Sequence, residues 1–322
     1  MPTHRGTRLS PFAIGLAAAA GAVALGWVYL FLAGAPSRML LLNPASLLVA
    51  LAAVMVARSA AALGPQAGKL ALVAMAGAIV ATALFGQAAD NVSRWLSIGG
   101  ITLQPGLMLV PAIAVAFAAG RSRWAGAAVA FAALGLALQP DRAMAGALLA
   151  SVTVTAVLRR DSLSLTVLGT ALAAFITTLL RSDPLQAVPF VEGVMASAFA
   201  VGPVAGICVL AGSALLLAPL HAASDPQMRP RLLAFAILWT AVFAAAALGN
   251  YPTPLVGFGG SAIVGYVLSV AILRLPARSA YAFRRWRSGP TQGGEPLGAG
   301  TARAGLSRAC RGAIRSGRAE LR

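Results

Sequence analysis

PFAIGLAAAAGAVALGWVYLFLA, residues 11–33, contains no charged side chain and follows a short basic segment that includes Arg5 and Arg8. As a helix it is long enough to cross a bilayer core, which takes ~20 apolar residues. It does not read as a cleaved leader. The apolar stretch is too long, and no small-residue cleavage site with a soluble domain follows. Nine further apolar runs lie near residues 40–57, 70–86, 103–119, 124–138, 143–158, 163–180, 194–219, 232–249 and 255–273. Several fall short of a perpendicular span, so their helices are expected to extend into flanking polar residues. The expected fold class is an all-α integral membrane protein, with about ten transmembrane helices in one bundle. Residues 1–10 are expected as a cytoplasmic N-terminus, 11–275 as the membrane domain, and 276–322 as a basic, disordered cytoplasmic tail.

Composition leads to the same class. Of 322 residues, 59% are hydrophobic and only 10% charged, with a mean hydropathy of +0.83. A soluble domain carries about a quarter charged residues. This chain cannot wet its own surface, so lipid is its solvent.

The formal charge of +17 invites a nucleic-acid reading, but its distribution speaks against one. Eleven of the 25 basic residues lie from Arg274 onward, and the others sit mostly in short loops between apolar runs. That pattern is the positive-inside bias with a basic juxtamembrane tail, and no nucleic-acid partner is expected. With the N-terminus inside, ten basic residues before the tail face the cytoplasm, Arg58, Lys69, Arg159 and Arg160 among them. Only Arg38, Arg94, Arg142 and Arg181 face outward. An even number of helices returns the C-terminus to the same side. Cys208 and Cys310 fall in opposite environments, so neither a disulfide nor a metal cluster is expected from them.

The outward loops, 87–105, 139–143, 181–193 and 250–261, gather Pro, Gly and polar residues where helices end. Four of the eight acidic residues fall there: Asp90, Asp141, Asp183 and Glu192. Ionisable groups near a membrane mark functional sites by default. Asp141, within Gln139-Pro140-Asp141-Arg142, is placed to cap the next helix, or to take a substrate or packing role. Arg94-Trp95 reads as an interfacial anchor or as a grip on an anionic phosphate. Gly257-Phe258-Gly259-Gly260-Ser261 opens the last helix, where glycines permit close approach and free N–H groups face outward. No Ser-His-Asp, HExxH or Walker pattern is present.

These motifs resemble the SEDS family of bacterial cell-wall proteins (shape, elongation, division and sporulation; FtsW/RodA/SpoVE-like). Arg94-Trp95-Leu96 through Leu103-Gln104-Pro105 resembles the family's R-W…L-Q-P segment. Gln139-Pro140-Asp141 resembles Q-P-D-x-G-T-A, and Pro254 through Ser261 resembles P-F-x-S-Y-G-G-S. The three are collinear and cover roughly residues 11–275.

The resemblance implies a multi-pass protein of the bacterial inner (cytoplasmic) membrane that works in peptidoglycan synthesis. It would handle lipid II, an undecaprenyl-linked precursor, at the outer face beside a class B penicillin-binding protein. A divalent cation (Mg or Mn) would share the pyrophosphate charge, with no metal-ligating residue assigned. Substrate-binding residues carried over are Arg94, Trp95, Gln104, Gln139, Asp141, Gly259, Gly260 and Ser261.

The departures are specific. Gly106 and Leu107 follow Gln104-Pro105 where the family has Ser-Glu, and Val110 stands at its lysine. Aligning Pro189 with the family's proline puts Val194 at its essential aspartate. Either Glu192 or Asp183 then serves as the catalytic carboxylate, or the chain is a non-catalytic scaffold or regulator. A flippase or transporter for a lipid-linked substrate is the third reading.

Overall fold

The computed structural model describes residues 10–274 apart from 63, 90–91, 121, 182–185, 223–225 and 250. The expected tail 276–322, residues 1–9 and the candidate Asp183 lie outside the described residues.

Each apolar run holds a helix over most of its length. In chain order the helices are α1 (Pro11–Leu32), α2 (Ser37–Ala62), α3 (Pro65–Phe85), α4 (Pro105–Ala119), α5 (Arg123–Leu138) and α6 (Arg142–Arg159). They continue with α7 (Ser162–Leu179), α8 (Val194–Val201), α9 (Pro203–Leu215), α10 (Arg229–Leu248) and α11 (Gly260–Leu273). Seven helical segments among the described residues are long and apolar enough to cross a membrane, and α4, α5 and α11 are shorter apolar helices. The starts are written in the sequence. Proline occupies the first turn of α1, α3, α4, α9 and α10, where its missing N–H costs nothing. Ser10, Ser122, Asp141 and Asp161 cap helices through side-chain oxygens.

Two expectations need correction. The run 194–219 was expected as one helix, but it divides at Gly202, whose φ of 155° closes α8 before Pro203 opens α9. Proline disfavours helical geometry at the residue before it, and glycine accepts the conformation that results. The chain is also not purely α. The expected loop 87–105 forms an antiparallel three-stranded sheet of β1 (Gln87–Ala89), β2 (Val92–Ile98) and β3 (Ile101–Leu103), with β2 in the middle. Gly99 and Gly100, both at positive φ, make the tight β2–β3 turn.

The core runs through α4 and α11, which are apolar on nearly every face and buried by the surrounding helices. Trp239 and Phe235 of α10 meet Tyr266 of α11 edge-on, with ring centroids 5.3 and 5.4 Å apart. Large apolar side chains such as Leu41, Leu48 and Met55 of α2 lie exposed on the outside, as lipid contact requires. The end of the bundle where α4, α6 and α11 finish is tied by arginines on helix C-termini. Arg159 donates to the carbonyls of Phe117, Ala118 and Gly120, and Arg231 donates to Leu273 O.

Candidate functional site

The sheet, the α5–α6 turn, the α7–α8 loop and the α10–α11 loop gather at one end of the bundle. The α5–α6 turn brings Gln139 and Asp141 inside, and both side chains are fully buried. Asp141 Oδ1 accepts the Met144 backbone N–H at 3.1 Å, which caps α6. Its Oδ2 accepts from Gln104 Nε2 at 3.1 Å and, at 3.5 Å, from the Tyr251 hydroxyl. Gln104, buried just before α4, also reaches the Tyr251 oxygen at 3.1 Å, and its backbone N–H donates to Ser261 Oγ at 2.9 Å. One carboxylate thus ties together α4, α6 and the approach to α11.

Arg94 lies on β2 with its side chain buried. Its guanidinium donates to Pro140 O and, at 3.4 Å, to Gln139 O, locking the sheet onto the α5–α6 turn. Trp95, the next residue on the strand, is half-buried on the alternate face. Gln139 Nε2 donates to Ile79 O at 2.7 Å. Gly259 and Gly260 sit against α2: Gly259 N–H donates to Asn43 Oδ1 at 3.3 Å, and Asn43 Nδ2 donates to Gly257 O at 2.9 Å.

Glu192 is not part of this cluster. It sits on the 188–193 turn, where Oε2 accepts the Val188 N–H at 2.9 Å. That turn docks on the α10–α11 loop through Thr253 N–H to Val191 O at 2.9 Å and Phe258 N–H to Phe190 O at 2.7 Å. Val194 is fully buried in the apolar core.

Five of the expected substrate-binding residues therefore converge: Arg94, Gln104, Gln139, Asp141 and Ser261. Gly259 and Gly260 belong to the neighbouring α2 contact. Sequence reading missed Tyr251 and Asn43. Tyr251 is buried, and burial, followed by the negative charge of Asp141, raises its hydroxyl well above the usual tyrosine range. It stays a neutral phenol able to donate to the carboxylate. Tyr251→Phe is expected to cost about 1 kcal/mol, because Gln104 keeps Asp141 as its acceptor. A thermal midpoint in detergent reads this; a loss as large as that of an Asp141 variant would mean the hydroxyl, not the carboxylate, organises the cluster.

Beside the cluster a groove of ≈ 560 Å³ opens over α6, between α7 and α10. Arg94, Arg142 and Tyr251 line it together with the apolar Phe175, Leu179 and Leu248. No Asp or Glu is among its described lining residues. Among the described residues no group of three or more His, Cys, Asp or Glu side chains is placed to hold a metal. The divalent cation implied by the family resemblance would therefore be held chiefly by substrate phosphates and water rather than by a protein cage of these residues.

No family model matches the chain, and no curated protein matches it by sequence. Among solved structures, the fold matches the rod shape determining protein RodA of Thermus thermophilus, with a TM-score of 0.56 and 21% identity over 87% of this chain and 99% of that one. A point variant of the same protein matches with a TM-score of 0.55 and 22% identity over 83% and 97%. What the chain shares with RodA at this identity is the fold.

Proposed function

We propose that this chain acts in bacterial peptidoglycan synthesis as a RodA-like protein that binds lipid II, or another undecaprenyl-linked precursor, without polymerising it. The protein lies in the inner membrane with both ends in the cytoplasm, so the sheet end of the bundle faces outward. The observation that carries this reading is the chemistry of the groove: two arginines, apolar walls, and no carboxylate among the described lining residues. Arginines suit a pyrophosphate. A general base must reach the hydroxyl it deprotonates, and buried Val194 cannot do that. Glu192 turns its carboxylate into its own loop rather than toward the groove. The natural role is then scaffold or regulator, with a class B penicillin-binding protein as partner. Docking would proceed through helices, because the loops are short and small residues permit close packing.

The test is incubation of the purified protein with labelled lipid II and Mg²⁺ or Mn²⁺, with and without a co-expressed class B penicillin-binding protein. RodA of Thermus thermophilus runs alongside. Retained lipid II with no glycan polymer is the expected result. Any polymer would overturn the reading: loss of it in Glu192→Ala would make the chain a glycosyltransferase with that carboxylate relocated, and survival of it there would move the role to Asp183.

A further inference from the structure

We propose that Gly106 opens a binding site for one buried water molecule, which donates to Gln139 Oε1 and to Asp141 Oδ2 and so joins the two polar side chains of the α5–α6 turn. Gly106, Gln139 and Asp141 are not among the lining residues of the groove, and the site does not depend on what the groove binds.

The group in need of a partner is the Gln139 amide oxygen. The side chain is fully buried, and Nε2 donates to Ile79 O at 2.7 Å. That bond fixes which end of the amide is which, since only the nitrogen can donate to a carbonyl. Oε1 is then the other end, and it accepts from no donor among the described residues. A buried amide oxygen left that way is costly, and folded proteins satisfy nearly all of them with a protein group or a water.

What Oε1 faces is the space left by a glycine. A Cβ built on Gly106 would stand 3.8 Å from Gln139 Oε1, 3.5 Å from Asp141 Oδ2 and 3.3 Å from Leu136 Cδ2. Gly106 and Leu136 are themselves buried, so the core closes over this space. Both oxygens accept, so the occupant must donate. An anion is excluded, and two oxygens are too few for a hard divalent cation, which takes about six. A water has two O–H donors, the number the site calls for, and two polar partners are enough to hold it. Asp141 has the capacity. Its two oxygens offer about four acceptor places, of which the Met144 N–H, Gln104 and Tyr251 take three. The water carries the cluster one step further, from Asp141 through Gln139 to the Ile79 carbonyl on α3. The family motif has serine at position 106, a residue that brings its own hydroxyl.

The test compares Gly106→Ala with Gly106→Ser in the full-length protein, in one detergent. Both variants add the same Cβ and the same crowding against Leu136, so the difference between them reads the hydroxyl. Alanine displaces the water and leaves Gln139 Oε1 without a donor, whereas serine puts a donor in the water's place. Gly106→Ala is expected to melt about 2–4 °C below Gly106→Ser, the size of one buried hydrogen bond in a chain of this order of length. A high-resolution density map of the parent protein is expected to show one ordered peak within hydrogen-bond distance of both oxygens. Should neither variant fold, that map decides alone. Alanine that melts level with serine overturns the proposal, and so does a map in which the space beside Gly106 is dry.

Discussion

Asp141→Ala is expected to destabilise the folded protein by about 3–5 kcal/mol, the larger of the two effects at the polar end of the bundle. The cap on α6 alone is worth about 1 kcal/mol. The rest follows from stranding buried donors: the Met144 N–H, Gln104 Nε2 and the Tyr251 hydroxyl all direct bonds at this carboxylate. Each buried group left without a partner costs about 1–3 kcal/mol, partly relieved because Gln104 and Tyr251 can still bond each other. Asp141→Asn keeps an oxygen for the cap but turns a donor toward Gln104, so a loss of about 1–2 kcal/mol is expected. Combining Asp141→Ala with Tyr251→Phe should cost less than the sum of the two, because the phenol no longer needs a partner. The checks are thermal midpoints in one detergent and the double-mutant cycle. An alanine variant that melts with the parent, or strict additivity, would mean that the carboxylate does not organise this end of the protein.

How the cluster could be foreseen, and how far, is clear from its members. Gln104, Gln139 and Asp141 stand in short Pro-containing segments between apolar runs, where a polar residue has a visible reason to sit at a helix end. Asn43 and Tyr251 carry no such mark. Asn43 is a single amide inside an apolar run, and its partner Gly257 lies 214 residues away. Tyr251 reaches Gln104 across 147 residues. A lone polar side chain has no periodicity, so only the packed fold reveals its contact.

Arg94 was legible as a residue but not as an arrangement. Nothing local shows that its guanidinium turns inward onto two carbonyls. The helices were legible because each run is apolar over most of its length. The break at Gly202-Pro203 was written in the chain, yet apolar residues on both sides concealed it. The sheet was hidden for a different reason. VSRWLSI breaks the alternation of a strand at Arg94-Trp95, and it is one short strand whose partners have only three residues each.

The second large effect lies in the middle of the bundle, where α4 and α11 approach so closely that a side chain has no place between them. A Cβ built on Gly265 of α11 runs into the Leu107 carbonyl oxygen of α4 and comes within 3.2 Å of the Met108 Cα. Both obstacles are backbone, so no rotamer change relieves them, and even Gly265→Ala must push the helices apart. Without a hydrophobic drive between helices in lipid, this kind of close packing is what holds them together. A loss of about 3 kcal/mol or more is expected for Gly265→Ala, at the upper end of overpacking costs. Gly265→Leu is expected to yield little folded protein. Gly77 on α3 is the matched control: nothing lies within 4 Å of its Cβ position, so Gly77→Ala should stabilise by about 0.5–1 kcal/mol through helix propensity. Monodisperse yield on size exclusion and the thermal midpoint separate the two. Equal behaviour of the Gly265 and Gly77 alanine variants would show that α4 and α11 stand further apart than this packing requires. Because Gln104 and Ser261 sit at the starts of α4 and α11, a spread pair would also part their 2.9 Å hydrogen bond. Gly265→Ala should therefore weaken lipid binding at the groove even in the fraction that folds, a distant effect that Gly77→Ala should not produce.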